Sequence, residues 1–184
     1  MITAWSFPQA SPEDKESHPM STQDNLQAAF AGESQANRKY LAFAAKAESE
    51  GHPQIAKLFR AAAAAETVHA HAHLRVLKGV KSTAENLQAA VQGEAHEFQQ
   101  MYPQFLKEAE ASGERAAAIS FKNALAVEEV HWQLYREAAE ALQAGKDLPA
   151  AAMFVCGVCG HTVRGAAPDT CPICGARGKF TEVA

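Results

Sequence analysis

The sequence of 184 residues lacks the segments that take a protein into or across a membrane. It has no run of about 18 apolar residues, the length that a transmembrane helix needs. Its first 20 residues lack the basic start and apolar core of a secretory signal. They are rich in Pro, Ser and charged residues, so we expect residues 1–20 to form a disordered N-terminal extension. These features predict a cytoplasmic protein without a membrane partner.

The sequence also lacks an excess of positive charge. It contains 17 Lys and Arg residues against 21 Asp and Glu residues, which gives a formal net charge of −4. Proteins that bind nucleic acid through its phosphates carry a basic surface. Nucleic acid is therefore not an expected partner.

Cysteine is scarce and confined to one short segment. The four cysteines form two C-x-x-C pairs, Cys156 with Cys159 and Cys171 with Cys174. In a chain without a secretory signal, this spacing indicates metal ligation in a reducing compartment and not a disulfide framework. Four thiolates suit a tetrahedral site, and ligand type alone leaves iron and zinc as alternatives. We expect residues 148–184 to form a small four-cysteine metal domain.

Within residues 21–147, glycine and proline occur mostly at a few positions that separate long helical segments. This pattern predicts four long helices. The helices are expected at residues 22–50, 53–78, 83–112 and 114–144. Each carries apolar residues at steps of three and four, the pattern of an inward-facing stripe in a helix bundle. The sequence therefore predicts a mainly α fold, a four-helix bundle followed by the small metal domain.

Acidic residues and histidines interrupt each apolar stripe near its middle. They are Glu33 in the first helix, Glu66 and His69 in the second, Glu94 and Glu97 in the third, and Glu128 and His131 in the fourth. The chain resembles two copies of one helical hairpin, because AGESQANRKY is similar to QGEAHEFQQMY and AAETVH to AVEEVH. Glu94 is then the counterpart of Glu33. Glu97 has no acidic counterpart, since Ala36 occupies the corresponding position.

Five carboxylates in one bundle core indicate a metal site. Ionised and unpaired, each would cost several kcal/mol to bury, and the sum would exceed the stability of a typical domain. Two ferrous ions would nearly neutralise them, and the E-x-x-H spacing places a Glu and a His on one helix face, as in carboxylate-bridged di-iron bundles. Zinc normally takes fewer carboxylates, calcium does not favour imidazole, and manganese remains an alternative.

The sequence resembles the rubrerythrins over residues 21–184, on the motifs GESQANRKY, AETVH, GEAHEFQQMYP, VEEVH, CGVC and CPIC. The resemblance implies a ferritin-like bundle with two bridged irons, followed by a rubredoxin-like domain with one iron. The resemblance implies that Glu66 and Glu128 bridge the two irons. It implies that Glu33 binds the first iron and that Glu94 and His131 bind the second. His69 and Glu97 would alternate as ligands of the first iron. Glu97 would bind in the oxidised state and His69 in the reduced state. Tyr40 and Tyr102 match tyrosines close to the site.

The same resemblance implies an oxidoreductase that reduces hydrogen peroxide to water in defence against oxidative stress. Electrons would arrive from rubredoxin or a rubredoxin/NAD(P)H reductase through the four-cysteine site, a role that favours iron over zinc there. A ferritin-like ferroxidase or iron-storage protein is the alternative, and a non-catalytic zinc protein is a third reading. The appended metal domain and Glu97 favour the peroxidase, because storage needs neither an electron relay nor a switching ligand.

The connection between the second and third helices is too short for the long crossover of a ferritin-like bundle. Keeping the ligands of both hairpins level within one chain would require crossing about 30 Å, the helix length on either side of the connection. Residues 79–82 span roughly 17 Å at most. We therefore expect two chains to exchange helices, so that each di-iron site is built in an obligatory homodimer. The small domain is expected to dock against the bundle of the partner.

Overall fold

The computed structural model of the protein describes residues 21–183. Contacts divide the described residues into two compact units, with the boundary between Val80 and Lys81. The disorder expected for residues 1–20 falls outside the described residues. Among the residues described, no helix is long and apolar enough to cross a membrane.

The first unit contains a hairpin of two long helices. These are α1 (Thr22–Ser49) and α2 (Pro53–Val76). Helix α1 begins with a capping box, because Ser21 Oγ accepts a hydrogen bond from the Asp24 N–H and the Asp24 carboxylate accepts one from the Ser21 N–H. It ends next to Gly51, whose φ of +79° allows the left-handed turn that stops a helix. Pro53 then starts α2, where its missing N–H costs no hydrogen bond.

Small side chains line the contact between α1 and α2. The fully buried residues described in this hairpin are Ala44, Ala47, Ala56, Ala63 and Ala70. Larger apolar side chains stay exposed, among them Leu58 at 68% and Val68 at 63%. The hairpin therefore buries little apolar surface by itself and keeps apolar faces that another helical surface could cover.

The second unit begins with a second helical hairpin. Its helices are α3 (Thr83–His96), α4 (Tyr102–Ala111) and α5 (Arg115–Gln143). Helix α3 repeats the capping box of α1, with Ser82 as the cap and Glu85 as its partner. Both α3 and α4 pack against α5. The four helical segments expected from the sequence are confirmed, with α3 and α4 together forming the third.

That third segment is not the continuous α-helix that was expected. A π-helical segment, Glu97–Met101, separates α3 from α4. Such a segment holds one extra residue within an otherwise regular helix. The sequence repeat contains the same extra residue, because Glu94 follows Glu33 by 61 positions whereas Tyr102 follows Tyr40 by 62. The π-helical segment absorbs this insertion and keeps both ends of the repeat on corresponding helix faces.

A small antiparallel sheet completes the second unit. Its strands are β1 (Met153–Cys156), β2 (Thr162–Arg164) and β3 (Phe180–Val183), arranged in the order β2–β1–β3. Strand β1 pairs with both neighbours, with Phe154 opposite Val163 on one side and Glu182 on the other. Strand β2 also contacts α5 of the same chain. The sequence did not predict this contact within one chain, and docking against a partner stays a prediction.

Candidate metal centres

The first hairpin brings three predicted ligands together. Glu33 on α1 and Glu66 and His69 on α2 each place a ligand atom within 4.8 Å of the other two, and we call them the first triad. His69 Nδ1 lies 3.0 Å from Glu66 Oε2 and 4.0 Å from Glu33 Oε1. The Asn37 side chain donates hydrogen bonds to Ala63 O and Thr67 Oγ1 and so joins the two helices close to the triad.

The second hairpin holds an equivalent set. Glu94 on α3 and Glu128 and His131 on α5 form the second triad, again with ligand atoms within 4.8 Å of one another. His131 Nδ1 lies 2.7 Å from Glu128 Oε2. The His131 side chain is 27% exposed, against 55% for His69 in the first triad. The repeat in the sequence is therefore a repeat in structure, although the two histidines differ in their surroundings.

Close carboxyl groups shift the acidity of both triads. A hydrogen bond with Glu66 raises the pKa of Glu33, while hydrogen bonds from Glu33 and His69 lower the pKa of Glu66. In the second triad, burial and then the charge of Glu128 raise the pKa of Glu94 to about 7. A shared proton thus relieves the repulsion between neighbouring carboxylates, and a bound cation can do the same.

The distances within each triad fit one metal ion. Ligand atoms at about 2.1 Å from an ion and at right angles to each other lie about 3.0 Å apart. The His69–Glu66 and His131–Glu128 separations are 3.0 Å and 2.7 Å. In both pairs the i, i+3 spacing on one helix face produces this approach. The donor set of carboxylates and imidazole suits iron or manganese.

Glu97 and Tyr102 flank the π-helical segment beside the second triad. Burial and then the charge of Glu128 raise the pKa of Glu97, but Glu97 belongs to neither triad among the described residues. Burial, followed by the charges of Glu97, Glu128 and Glu94, raises the pKa of the Tyr102 phenol. The charges of the triad carboxylates therefore act on both side chains, and Glu97 lies close to that triad without belonging to it.

The two tyrosines sit in matching aromatic clusters. Tyr40 packs with Phe43 and Phe59 at centroid distances of 6.3 and 6.1 Å. The equivalent cluster contains Tyr102, Phe105 and Phe121, with distances of 6.2 and 6.3 Å from the tyrosine. Tyr40 also lines a cavity of about 520 Å³ together with Glu33 and Glu66. Each tyrosine is thus held next to its own triad.

The four cysteines converge as their spacing predicts. All four Sγ atoms lie within 4.8 Å of one another. Cys156 Sγ is 3.8 Å from Cys174 Sγ, and Cys159 Sγ is 3.6 Å from Cys171 Sγ. Four sulfurs around one ion at about 2.3 Å in a tetrahedron would be about 3.8 Å apart. The cluster therefore has the dimensions of a four-thiolate metal site.

Ionisation of all four thiols together also requires a bound cation. Burial raises the pKa of Cys156, but hydrogen bonds from the backbone N–H groups of Cys159 and Val158 outweigh it, and the pKa falls to about 7. Burial raises the pKa of Cys159 to about 12. One thiolate can form readily, but four thiolates together need a bound metal. The backbone N–H groups of His161 and Ala176 likewise donate hydrogen bonds to Cys159 and Cys174.

One further contact of the second triad has no signal in the sequence. Thr162 Oγ1 on β2 lies 2.9 Å from His131 Nε2, the ring nitrogen that faces away from Glu128. The neighbouring His161 is buried and packs against Phe180 with the ring centroids 6.0 Å apart. Thr162 and His131 are 31 positions apart in different elements, so no periodicity of the sequence could pair them.

Comparisons with known proteins agree with this architecture. The protein-family model described as Rubrerythrin matches residues 24–139, and the one described as Rubrerythrin, rubredoxin-like domain matches residues 154–181. Rubrerythrin-2 of Clostridium acetobutylicum is 36% identical over 170 residues, which cover 85% of this chain and 92% of that protein. Nigerythrin of Nitratidesulfovibrio vulgaris is 34% identical over 168 residues, which cover 84% and 82%.

A solved structure shares the fold. The structure described as the fully reduced state of nigerythrin (all ferrous) superposes with a TM-score of 0.52 at 33% identity. The match covers 94% of this chain and 91% of that one. The two triads and the four-cysteine cluster thus lie in a chain that is similar to iron proteins along nearly its whole length.

Proposed function

The chain belongs to the rubrerythrin family of oxidoreductases, and from that premise we propose that it is a non-haem di-iron peroxidase that reduces hydrogen peroxide to water. The observation that carries this proposal is the pair of equivalent triads combined with a four-cysteine cluster in the same chain. A storage protein needs the triads but has no use for the cluster. An electron-transfer protein needs the cluster but has no use for the triads.

The two triads provide the ligands of one bridged centre in this proposal. Glu66 and Glu128 would be the ligands shared by two ions, Glu33 would hold one ion, and Glu94 and His131 would hold the other. Two ferrous ions held there would supply two electrons, which with two protons convert one hydrogen peroxide into two water molecules. The carboxylates balance most of the ionic charge, which keeps the centre close to neutral within the protein.

Glu97 and His69 would alternate as ligands of the ion that Glu33 would hold. Within its own chain His69 has one described hydrogen-bonding partner, Glu66, so no second hydrogen bond from that chain holds its ring in place. Glu97 starts the π-helical segment, where the backbone departs from regular α-helix. A carboxylate suits the more highly charged ferric ion, while a neutral imidazole suits the ferrous ion. Tyr40 and Tyr102 border the substrate beside the centre.

With iron bound, the four-cysteine cluster would receive electrons from rubredoxin or from a rubredoxin/NAD(P)H reductase and would pass them to the di-iron centre. One-electron iron serves this role, which zinc cannot serve because it has no redox chemistry. Unoxidised cysteine ligands fit a cytoplasmic, reducing compartment. The cycle would remove peroxide at the expense of reduced carriers and so protect the cell against oxidative stress.

Each di-iron centre is assembled from two chains that exchange helices. The last helical hydrogen bond of α2 runs from the Leu77 N–H to His73 O, and Lys78 then turns with a φ of +54°. The chain can therefore cover at most about 21 Å from Leu77 to Thr83, where α3 begins. Bringing His69 level with Glu94 within one chain would require about 28 Å, the helix length from His69 to Leu77 plus that from Thr83 to Glu94. Pairing α1 and α2 with α3 to α5 of a second copy removes this requirement.

The exposed apolar side chains of the first hairpin support the exchange. Residues exposed by more than 40% are Leu41, Phe43, Ile55, Leu58, Val68 and Val76. A partner hairpin would cover them, as in any obligatory dimer whose protomers lack a complete core. Light scattering of the metal-loaded protein is expected to give the mass of a dimer. A stable metal-loaded monomer would refute the exchange.

Peroxide consumption with a rubredoxin-type reducing system tests the enzymatic proposal. Glu97→Ala removes the alternating carboxylate and Cys174→Ser removes a ligand of the relay, and each is expected to lower turnover at least about tenfold. The matched controls are Glu129→Ala, at an exposed glutamate of α5, and Val158→Ser, at an exposed position between two cysteine ligands. Full turnover in both Glu97→Ala and Cys174→Ser would refute the assigned roles.

A further inference from the structure

The imidazole of His131 is joined to the four-cysteine cluster by a short polar chain. His131 Nε2 lies 2.9 Å from Thr162 Oγ1. The Thr162 hydroxyl donates a hydrogen bond of 3.2 Å to the carbonyl oxygen of Gly160. Gly160 directly follows Cys159, one of the four predicted sulfur ligands. Two hydrogen bonds and one peptide link therefore connect a ligand of the second triad with a ligand of the cluster.

Metal binding through Nδ1 requires the His131 tautomer that carries its proton on Nε2. Nδ1 lies 2.7 Å from Glu128 Oε2, so the two atoms can share an ion, and without the ion they can form a hydrogen bond. A threonine hydroxyl has one hydrogen, and the Gly160 carbonyl can accept it. With a metal on Nδ1, Thr162 Oγ1 then accepts a hydrogen bond from Nε2–H of His131. The hydroxyl thus holds the ring in the tautomer that can bind a metal through Nδ1.

Packing around this chain fixes its geometry. Gly160 sits against Val127, which is 2% exposed and directly precedes Glu128. The Gly160 N–H donates a 2.9 Å hydrogen bond to the Cys156 carbonyl, so the glycine is part of the turn that carries two ligands. A further ion pair of 3.8 Å joins Arg164 on β2 to Glu137 on α5.

The first triad has no equivalent support. His69 occupies the position of His131 in the repeat, yet within the described residues its ring has hydrogen-bonding or ion-pair partners only in Glu66 and Glu33. Two histidines in matching helical positions therefore differ by one hydroxyl contact, which restrains one ring and leaves the other unrestrained.

We propose that Thr162 is a positioning residue that makes His131 the fixed imidazole ligand and provides the electron-transfer contact between the four-cysteine cluster and the second triad. The inference rests on the proposed function and adds Thr162 to the residues that serve this function. Each transfer moves one electron along Cys159, Gly160, Thr162 and His131. The four-thiolate site is oxidised, the metal at His131 is reduced, and no bond forms or breaks.

The first test needs neither iron nor peroxide. Nitrogen-15 NMR of the zinc-loaded protein should show His131 with a protonated Nε2 whose hydrogen exchanges slowly with water. Thr162→Val removes the acceptor with little change in volume and is expected to speed that exchange at least about tenfold, whereas Thr162→Ser should keep it slow. Thr181→Val, at an exposed threonine of β3, is the matched control and should not change it. Equal exchange in Thr162→Val and wild type would overturn the positioning role.

The second test follows electrons. After fully reduced protein is mixed with hydrogen peroxide, the red band of the ferric four-thiolate site should appear about 10- to 100-fold more slowly in Thr162→Val than in wild type. Its midpoint potential and iron content should be unchanged, and Thr162→Ser should restore the rate. An unchanged rate in Thr162→Val would refute the electron-transfer contact. If wild type does not react with peroxide, the proposed function fails, and the NMR result still decides the role of Thr162.

Discussion

Glu94→Gln should have opposite effects on the metal-free and metal-loaded protein. Burial and the charge of Glu128 raise the pKa of Glu94 from 4.5 to about 7. Because the folded state binds the proton more tightly than the unfolded state, the contribution to stability is complete below about pH 4.5 and is lost as the pH rises through 7. The folded, metal-free protein therefore carries an unfavourable charge at pH 8.

The size of this effect follows from the same pKa values. The change from 4.5 to about 7 corresponds to at most about 3 kcal/mol of unfolding free energy, because Glu94 is half-buried and solvent reduces the value. Glutamine keeps the shape of the side chain and cannot ionise. At pH 8 the metal-free Glu94→Gln protein should be more stable than wild type by up to that amount, and at pH 4 the two should be nearly equal.

Urea unfolding of the metal-free protein, followed by helical circular dichroism at a fixed protein concentration, measures the difference at each pH. Glu108→Gln, at an exposed glutamate of α4, is the control and should not add a pH dependence. With metal bound the order should reverse, since the variant lacks a ligand and gains less stability from the ion. A metal-free Glu94→Gln protein that is less stable than wild type at pH 8 would refute this account of the triad.

Three further changes test the fold around the sites. Deleting Gln99 removes the extra residue of the π-helical segment, so circular dichroism should show a stable helical protein. Deleting Gln88 within α3 should destabilise the protein, because it rotates all later residues of the helix by about 100°. Ser82→Ala removes the cap of α3 and should lower the unfolding free energy in urea by about 1 kcal/mol. Gly160→Ala places a side chain at a φ of +86° and should destabilise the four-cysteine domain by about 1–2 kcal/mol, measured by bleaching of the red band in urea.

Each of these expectations has a control and a contrary result. If deletion of Gln99 were as disruptive as deletion of Gln88, the π-helical segment would not be the site of the insertion. The control Thr83→Ala should lower the unfolding free energy less than Ser82→Ala does. Equal losses of unfolding free energy in the two variants would argue against the capping box. Gly157 does not have a positive φ, and a Cβ added there would meet only Lys179 O, at 3.5 Å, so Gly157→Ala should destabilise the domain little. Equal bleaching in the two glycine variants would contradict the strain at Gly160.

Much of the architecture follows from patterns that the sequence contains locally. The spacing of three between Glu66 and His69, and between Glu128 and His131, places each pair on one helix face whatever else the chain does. The two C-x-x-C pairs likewise bring their sulfurs together through short local turns. The helical hairpins, both triads and the cysteine cluster could therefore be predicted, because each depends on distances of a few residues or on an internal repeat.

The π-helical segment could be predicted only in part from the sequence. The repeat shows one additional residue between Glu94 and Tyr102, but helical periodicity does not say how that residue is accommodated. A bulge, a loop or a rotation of the following helix would all fit the sequence. Packing of α3 and α4 on a common partner, α5, favours the π-helical solution, because both flanking helices then keep their apolar faces inward.

The sequence by itself determined the kind of fold, the ligand types and the number of candidate metal sites, since periodicity and spacing are properties of the chain. Only the tertiary structure decided which otherwise equivalent histidine is restrained. His69 and His131 have the same local motif, and they differ because β2 brings Thr162 to His131 alone. A hydrogen bond between residues 31 positions apart depends on how a sheet packs on a helix, and that packing is the sum of many weak contacts that no short motif encodes.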